Sequence, residues 1–357
     1  MVRCFLVLED GTALEGVPFG HVGAVTGEIV FTTCMSGYQE SITDPAYKGQ
    51  ILVSAFPLVG DYGVSERYDA SGTVHVAALV VRECCREPSN MYGGRTLDDY
   101  LKEHKVPGIS GIDTRDVISA IRNKGSMKAA IVCDEKAVNA AKKKLKGDAP
   151  AADGLVSYVS AKKIKKIGNG KKMTVGIIDC GIDRGMVRDI SLNYNVIIFP
   201  HDTDAKKIIA SKTDCVIVSG GPGSPDSKDV AVTVNTVKEI SSSVPVAGTG
   251  LGSQIIAKAF GCSFVKLKFG HHGPSQPVKH GERVYITSQN HMYAIDPGSM
   301  KGTGLAADQF NVNDGTVEGF THTSLPVFGV NYRPLSPLYD EDSYFYGKLE
   351  KIMGVIE

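Results

Sequence analysis

The chain has 357 residues, more than one ordinary domain holds, and its 39 basic and 39 acidic side chains cancel. Two domains, each with its own core, are expected, and the balanced charge argues against a polyanionic partner such as nucleic acid. No apolar stretch approaches the roughly 18 residues a membrane span requires, which argues against membrane residence.

The eight cysteines, at 4, 34, 84, 85, 133, 180, 215 and 262, show no C-x-x-C spacing, and Met1-Val2-Arg3-Cys4-Phe5-Leu6 lacks the basic and long apolar regions of a secretory leader. They read as reduced, mostly buried thiols in a cytoplasmic protein.

Residues 1–145 carry short β-type runs, Cys4–Leu8, Glu28–Thr32, Ile51–Ala55 and Val74–Val81, between glycine and proline turns. One helix stands out: it is capped near Asp113-Thr114, sets Val117, Ile118 and Ile121 on one face and stops at Gly125. Residues 146–172, rich in Gly, Ala, Asp and Lys, read as a linker, and Lys162-Lys163-Ile164-Lys165-Lys166 reads as solvated charge without a binding role.

From 173 to 357 the rhythm changes. Val175–Ile178, Val196–Phe199 and Val216–Val218 are short, fully apolar runs, and helix-length segments near Arg184–Leu192, Asp204–Ser211 and Asp229–Ser241 fit crossovers between parallel strands. Val244–Ala247 followed by Ser253–Phe260 extends the series, and Val284–Thr287, Val317–Phe320 and Val327–Val330 complete the strands. An α/β fold follows: a β-rich α/β N-terminal domain, then a doubly wound, mostly parallel open sheet with its ligand site at the carboxyl ends of the strands.

Gly248-Thr249-Gly250-Leu251-Gly252-Ser253-Gln254, directly after an apolar run, has the strand, sharp turn and helix of a nucleophile elbow. A cysteine at its apex would be activated by the helix N-terminus and a neighbouring histidine. Gly250 stands at that apex and has no side chain. Taken alone, the pattern is more often a plain glycine-rich strand-to-helix turn.

The wider pattern resembles a known family. Leu6-Val7-Leu8-Glu9-Asp10-Gly11-Thr12, Gly27-Glu28-Ile29-Val30-Phe31-Thr32-Thr33, Gly37-Tyr38-Gln39-Glu40-Ser41-Ile42-Thr43-Asp44-Pro45, Gly111-Ile112-Asp113-Thr114-Arg115 and Arg122-Asn123-Lys124-Gly125 occur in its order and spacing. So do Ser219-Gly220-Gly221-Pro222-Gly223-Ser224-Pro225, Lys268-Phe269-Gly270-His271-His272-Gly273 and Ser288-Gln289-Asn290-His291. The chain resembles the small subunit of carbamoyl phosphate synthetase, whose C-terminal half is a class I glutamine amidotransferase, from Leu6 to about Asp340. The resemblance implies a subunit that hydrolyses glutamine and passes ammonia to a large subunit, which makes carbamoyl phosphate from bicarbonate and ATP. It implies no cofactor in this chain, with ATP and magnesium expected on the large subunit.

The resemblance also marks departures. The family's cysteine falls on Gly250, and Val330-Asn331-Tyr332-Arg333-Pro334-Leu335 puts Arg333 at its histidine and Leu335 at its glutamate. Arginine stays protonated and cannot act as a base, and leucine cannot orient an imidazole. Ala46 stands at a substrate-binding serine, Met292 at a glycine and Ser253 at a histidine, and the stretch after Leu335 reads about two residues short. Gly221, Gly223, Leu251, Gln254 and Asn290 match substrate-binding positions, although turns and loop hydrogen bonds are the favoured account of them and need no substrate.

Thr249, Ser253, Cys180 and Cys215 are the substitute nucleophiles nearby, and the elbow geometry argues against each; His271, His272 and His291 read as structural. The expectation is therefore a glutaminase-inactive small subunit, with no catalytic residue of its own, acting as a structural and allosteric partner of an ammonia-using large subunit. The alternatives are an active subunit with an unorthodox nucleophile, or a pseudoenzyme that binds another small molecule, such as an anion drawn to Arg333.

Overall fold

A computed structural model describes residues 3–147, 153–336 and 343–355. The chain forms two compact units: Met1–Ala151 with Lys268–Gly273, and Ala152–Leu267 with Pro274–Glu357.

The first unit contains strands β1 (Cys4–Leu8), β2 (Ala13–Gly20), β3 (Val25–Thr32), β4 (Gln50–Ser54), β5 (Leu58–Val59), β6 (Ala78–Val80), β7 (Glu83–Cys84), β8 (Pro107–Ser110) and β9 (Met127–Val132). Seven of them close into a barrel in the order β1-β2-β8-β6-β4-β3-β9, while β5 and β7 pair separately. Leu6, Leu8, Ile29, Ile51, Val53, Val80, Ile109 and Ile131 form one buried cluster, the alternation expected when one face of every strand turns to the core. Helices α1 (Tyr38–Thr43), α2 (Leu97–Glu103), α3 (Thr114–Lys124) and α4 (Glu135–Leu145) complete the unit.

The α3 expectation is met, with Asp113 Oδ1 accepting from the amides of Arg115 and Asp116 and Val117 and Ile121 buried. The other three helices escaped the pattern reading. Thr96 caps α2 and Asp134 caps α4, and the lysines of α4 mask its short apolar stripe, Ala137, Val138, Ala141 and Leu145. The run at 74–81 shortens to Ala78–Val80 because the amides of His75 and Val76 bond the Ile42 carbonyl rather than a neighbouring strand.

The cysteine reading also needs correction. Cys4 and Cys133 are joined by a disulfide; Cys34, Cys84 and Cys85 are free and partly buried, and Cys180, Cys215 and Cys262 are free and buried. Sequence spacing hid the pair, which the register of β1 against β9 brings face to face.

The stretch read as a linker is structured where it is described. It carries α5 (Leu155–Val159), whose Val156 and Ser157 amides donate to Asp229 Oδ2, and β10 (Lys165–Ile167), which pairs antiparallel with the strand at Asn195–Pro200. Its lysines therefore decorate a sheet edge, where charge discourages further strand pairing. Residues 148–152 of that stretch lie outside the described residues.

The second unit continues with β11 (Thr174–Asp179), α6 (Arg184–Asn193), β12 (Asn195–Pro200), α7 (Ala205–Ala210), β13 (Cys215–Val218), α8 (Ala231–Ile240), β14 (Val246–Thr249) and α9 (Leu251–Ala259). Then follow β15 (Phe264–His280), whose Lys268–Gly273 stretch belongs to the first unit, β16 (Arg283–Ile295), β17 (Leu305–Asn311), β18 (Val317–His322), β19 (Val327–Val330) and α10 (Tyr344–Ile352).

The sheet order is β10-β12-β11-β13-β14-β19-β18-β16-β15-β17. Strands β12, β11, β13, β14 and β19 run parallel, as helical crossovers require. From β18 onward the pairing is antiparallel. The parallel strands are the ones expected; β15, β17 and α10 are additional. Among the described residues, no helix is long and apolar enough to cross a membrane.

Candidate active site

Three glycines mark the passage from β14 to α9, and two of them share one reason. A Cβ at Gly248 would sit 2.6 Å from Ile256 Cδ1, and one at Gly252 would sit 2.0 Å from the Val218 carbonyl oxygen. Both are required by the close approach of helix to strand. Gly250 is unlike them. Its φ of 49° and ψ of −125° form the strained apex of an elbow, yet a Cβ there would meet only Gly220 Cα, at 3.4 Å.

The apex is thus a sharply bent position whose surroundings have room for the first atom of a side chain. Its amide donates to the Val330 carbonyl at 2.9 Å, tying the elbow to the end of β19.

The neighbouring hydroxyls are engaged. Thr249 Oγ1 accepts from the Gly220 amide at 3.1 Å, and Ser253 Oγ donates to the Gly250 carbonyl at 2.7 Å. Cys180 and Cys215 are fully buried, and burial pushes both thiols well above the ordinary range, the opposite of what a nucleophilic cysteine needs.

The loop after β13 lies beside the elbow. A Cβ at Gly221 would fall 2.0 Å from the Cys180 carbonyl oxygen, and Gly223 has a φ of 93°. Backbone packing and backbone conformation account for both glycines without a ligand. Leu251 opens α9 and is buried.

Gln254, 2 % exposed, donates from Nε2 to the Tyr293 carbonyl and to Asn331 Oδ1, both at 2.9 Å. Asn331 Nδ2 contacts His291 Nδ1 at 3.2 Å, and His291 Nε2 lies 3.2 Å from Gln289 Oε1 and 3.3 Å from Glu318 Oε2. Glu318 is completely buried, and its Oε1 accepts from Thr316 Oγ1 at 3.2 Å.

Buried polar groups require such partners, so Gln254 and His291 belong to an internal network that fixes the loop after β19. Asn331, Gln289 and Glu318 were missed as site-framing residues. An acid between Val317 and Phe320 in an otherwise apolar strand was the available signal.

Arg333 sits three residues beyond β19. Its amide donates to the Ser288 carbonyl at 2.8 Å, and its Nη2 lies 2.7 Å from Asp183 Oδ1. That same oxygen accepts from the Met186 amide at 2.9 Å as the N-cap of α6. The guanidinium is therefore held over the first turn of α6 by a carboxylate.

Leu335 is 46 % exposed, with its carbonyl accepting from Ser343 Oγ at 3.0 Å; residues 337–342 beyond it lie outside the described residues. Met292 is buried on β16, and Asn290 lies half-buried on the same strand. Ala46 belongs to the first unit, in a turn capped by Asp44, as do His271 and His272, the latter with its ring 6.0 Å from that of Tyr47.

The fold thus assembles Gly221, Gly223, Gly250, Leu251, Gln254 and Arg333 on loops and a helix start at the carboxyl ends of β13, β14 and β19, where ligands bind in open α/β sheets.

Known proteins match this organisation. Residues 6–131 match the carbamoyl-phosphate synthase small chain, CPSase domain, and residues 176–345 match glutamine amidotransferase class-I. The chain is 38 % identical to the carbamoyl phosphate synthase small chain of Methanosarcina acetivorans over 99 % of both chains. It is 41 % identical to that of Archaeoglobus fulgidus over 97 % of both, and 40 % identical to that of Staphylococcus saprophyticus over 92 % of this chain and 90 % of the relative. Identity at this level along nearly the whole length places the chain in the carbamoyl phosphate synthase small chain family, with a class I glutamine amidotransferase domain forming its C-terminal half.

Proposed function

We infer that this chain is a small subunit that has lost glutamine hydrolysis and acts as a structural and allosteric partner of a large subunit supplied with free ammonia, with ATP and magnesium bound on that subunit. The observation that carries this reading is the elbow itself. Its bend is retained at Gly250, but no nucleophile projects from it.

The groups around it point the same way. Arg333, where the family resemblance places the catalytic histidine, is engaged with Asp183; an arginine cannot take a proton from a nucleophile at neutral pH. Leu335, at the glutamate position, carries no charge to orient a base. Thr249 accepts from the Gly220 amide and Ser253 donates to the Gly250 carbonyl, and neither hydroxyl stands at the apex position. The coherent cores of both units support a retained role that depends on folding rather than on this chemistry.

The test is reconstitution with the large subunit, measuring carbamoyl phosphate formed from glutamine and from ammonium, with the large subunit alone as control. Synthesis from ammonium only, with a rate or affinity changed by this chain, is expected. Efficient synthesis from glutamine would overturn the reading, and failure of the two chains to associate at micromolar concentration would remove the partner role.

A further inference from the structure

Strands β1 and β9 close the barrel as an antiparallel pair in which Phe5 faces Val132 and Leu8 faces Ala129. One more step of the same register sets Cys4 opposite Cys133, where the disulfide forms. Side chains alternate across a strand, so Cys4 shares a face with Leu6 and Leu8, and Cys133 with Ala129 and Ile131, all in one apolar cluster. Phe5, Val7, Ala130 and Val132 point the other way, onto α4. Cys133 directly precedes Asp134, whose side chain caps α4. The bond therefore ties the barrel seam at the point where the last strand hands over to its covering helix.

We propose that Cys4 and Cys133 form a redox-controlled staple, a dithiol that exchanges with low-molecular-weight disulfides and whose oxidation state sets the stability of the first unit. Cys133 is the partly exposed member and Cys4 is fully buried, so exchange begins at Cys133. Its thiolate attacks one sulfur of the small disulfide, forming a mixed disulfide and expelling one thiolate. The Cys4 thiolate then attacks Cys133 Sγ, closing the protein disulfide and expelling the second. Two protein thiols lose two electrons, the small disulfide gains them, and the two cysteine protons end on the two released thiols.

Five of the six other cysteines compete poorly. Burial raises the thiols of Cys34, Cys84, Cys180, Cys215 and Cys262, that of Cys84 to about 12, which leaves little thiolate for exchange. The cross-link spans 129 residues, and loop-closure entropy on that scale lowers the unfolding equilibrium constant by roughly three to four orders of magnitude.

The experiment uses the full chain, incubated with excess oxidised glutathione or with dithiothreitol, then denatured, alkylated with N-ethylmaleimide and mapped by mass spectrometry. Six alkylated cysteines are expected after oxidation, with Cys4 and Cys133 protected together in one cross-linked peptide, and eight after reduction. Urea unfolding of the two forms should show the reduced form unfolding at lower denaturant, with the Cys133→Ser chain insensitive to reductant.

Eight alkylated cysteines after oxidation, protection of a different pair such as Cys84 and Cys85, or equal unfolding midpoints in the two wild-type forms would each overturn the proposal. The alkylation count and the wild-type comparison decide it even if Cys133→Ser does not fold.

Discussion

Gly250→Cys places at the elbow the thiol that the family resemblance expects there and asks whether the surrounding groups support catalysis. The sulfur has a place to go, because a Cβ at 250 contacts only Gly220 Cα at 3.4 Å. A non-glycine residue at φ 49° and ψ −125° costs roughly 1–3 kcal/mol of strain, which in a unit of this size lowers the melting midpoint by roughly 2–12 °C.

What the substitution cannot supply is a base. Arg333 remains a cation bound to Asp183 at 2.7 Å, and losing the base in a subtilisin-type triad removes about six orders of magnitude from kcat, or about 8 kcal/mol. Glutamate release by Gly250→Cys, measured with a glutamate dehydrogenase-coupled assay, is therefore expected to equal that of the unaltered chain. Alkylation by iodoacetamide mapped to residue 250, together with the drop in melting midpoint, would show that the thiol is in place. Glutamine turnover by this single variant about 100-fold or more above the unaltered chain would refute the reasoning and direct the search to another base, His291 first.

Three further outcomes follow from the same geometry. Asp183→Ala removes both the α6 cap and the ion pair and should cost about 1.5 kcal/mol, whereas Arg333→Ala should cost under about 1 kcal/mol because the guanidinium side chain is 41 % exposed; a urea double-mutant cycle showing no coupling would remove the clasp. Gly252→Ala should leave little folded protein, since its Cβ would lie 2.0 Å from the Val218 carbonyl oxygen, whereas Gly347→Ala in α10, with nothing within 4 Å, should stabilise by roughly 0.5–1 kcal/mol; circular dichroism melts separate the two. Burial, assisted by the nearby charge of Lys48, depresses His75 from 6.5 to about 4, so below pH 6.5 the unfolded chain takes up the proton first. The first unit should then lose stability as pH falls from about 6.5 to about 4, and His75→Gln should flatten that part of the profile.

The parallel strands of the second unit were legible because burial on both faces demands short, uninterrupted apolar runs, as in Val175–Ile178 and Val216–Val218. Strand β15 was not, because exposed and half-buried residues are interspersed along Phe264–His280 and break any single period. Helix α4 was hidden by its lysines, and β10 by a composition that matches a linker as well as it matches a charged sheet edge.

What the sequence determined by itself is chemical identity: the apex of the elbow has no side chain, and an arginine and a leucine stand where the family resemblance calls for a base and its orienting acid. These are properties of single residues, and no fold alters them. Only the tertiary structure decided which groups are already engaged. Asp183 and Arg333 are 150 residues apart in sequence, Gln254 and Asn331 are 77 apart, and Cys4 and Cys133 are 129 apart. A hydrogen bond or disulfide forms over a few ångströms, a distance that strand register and sheet order set and linear spacing does not encode.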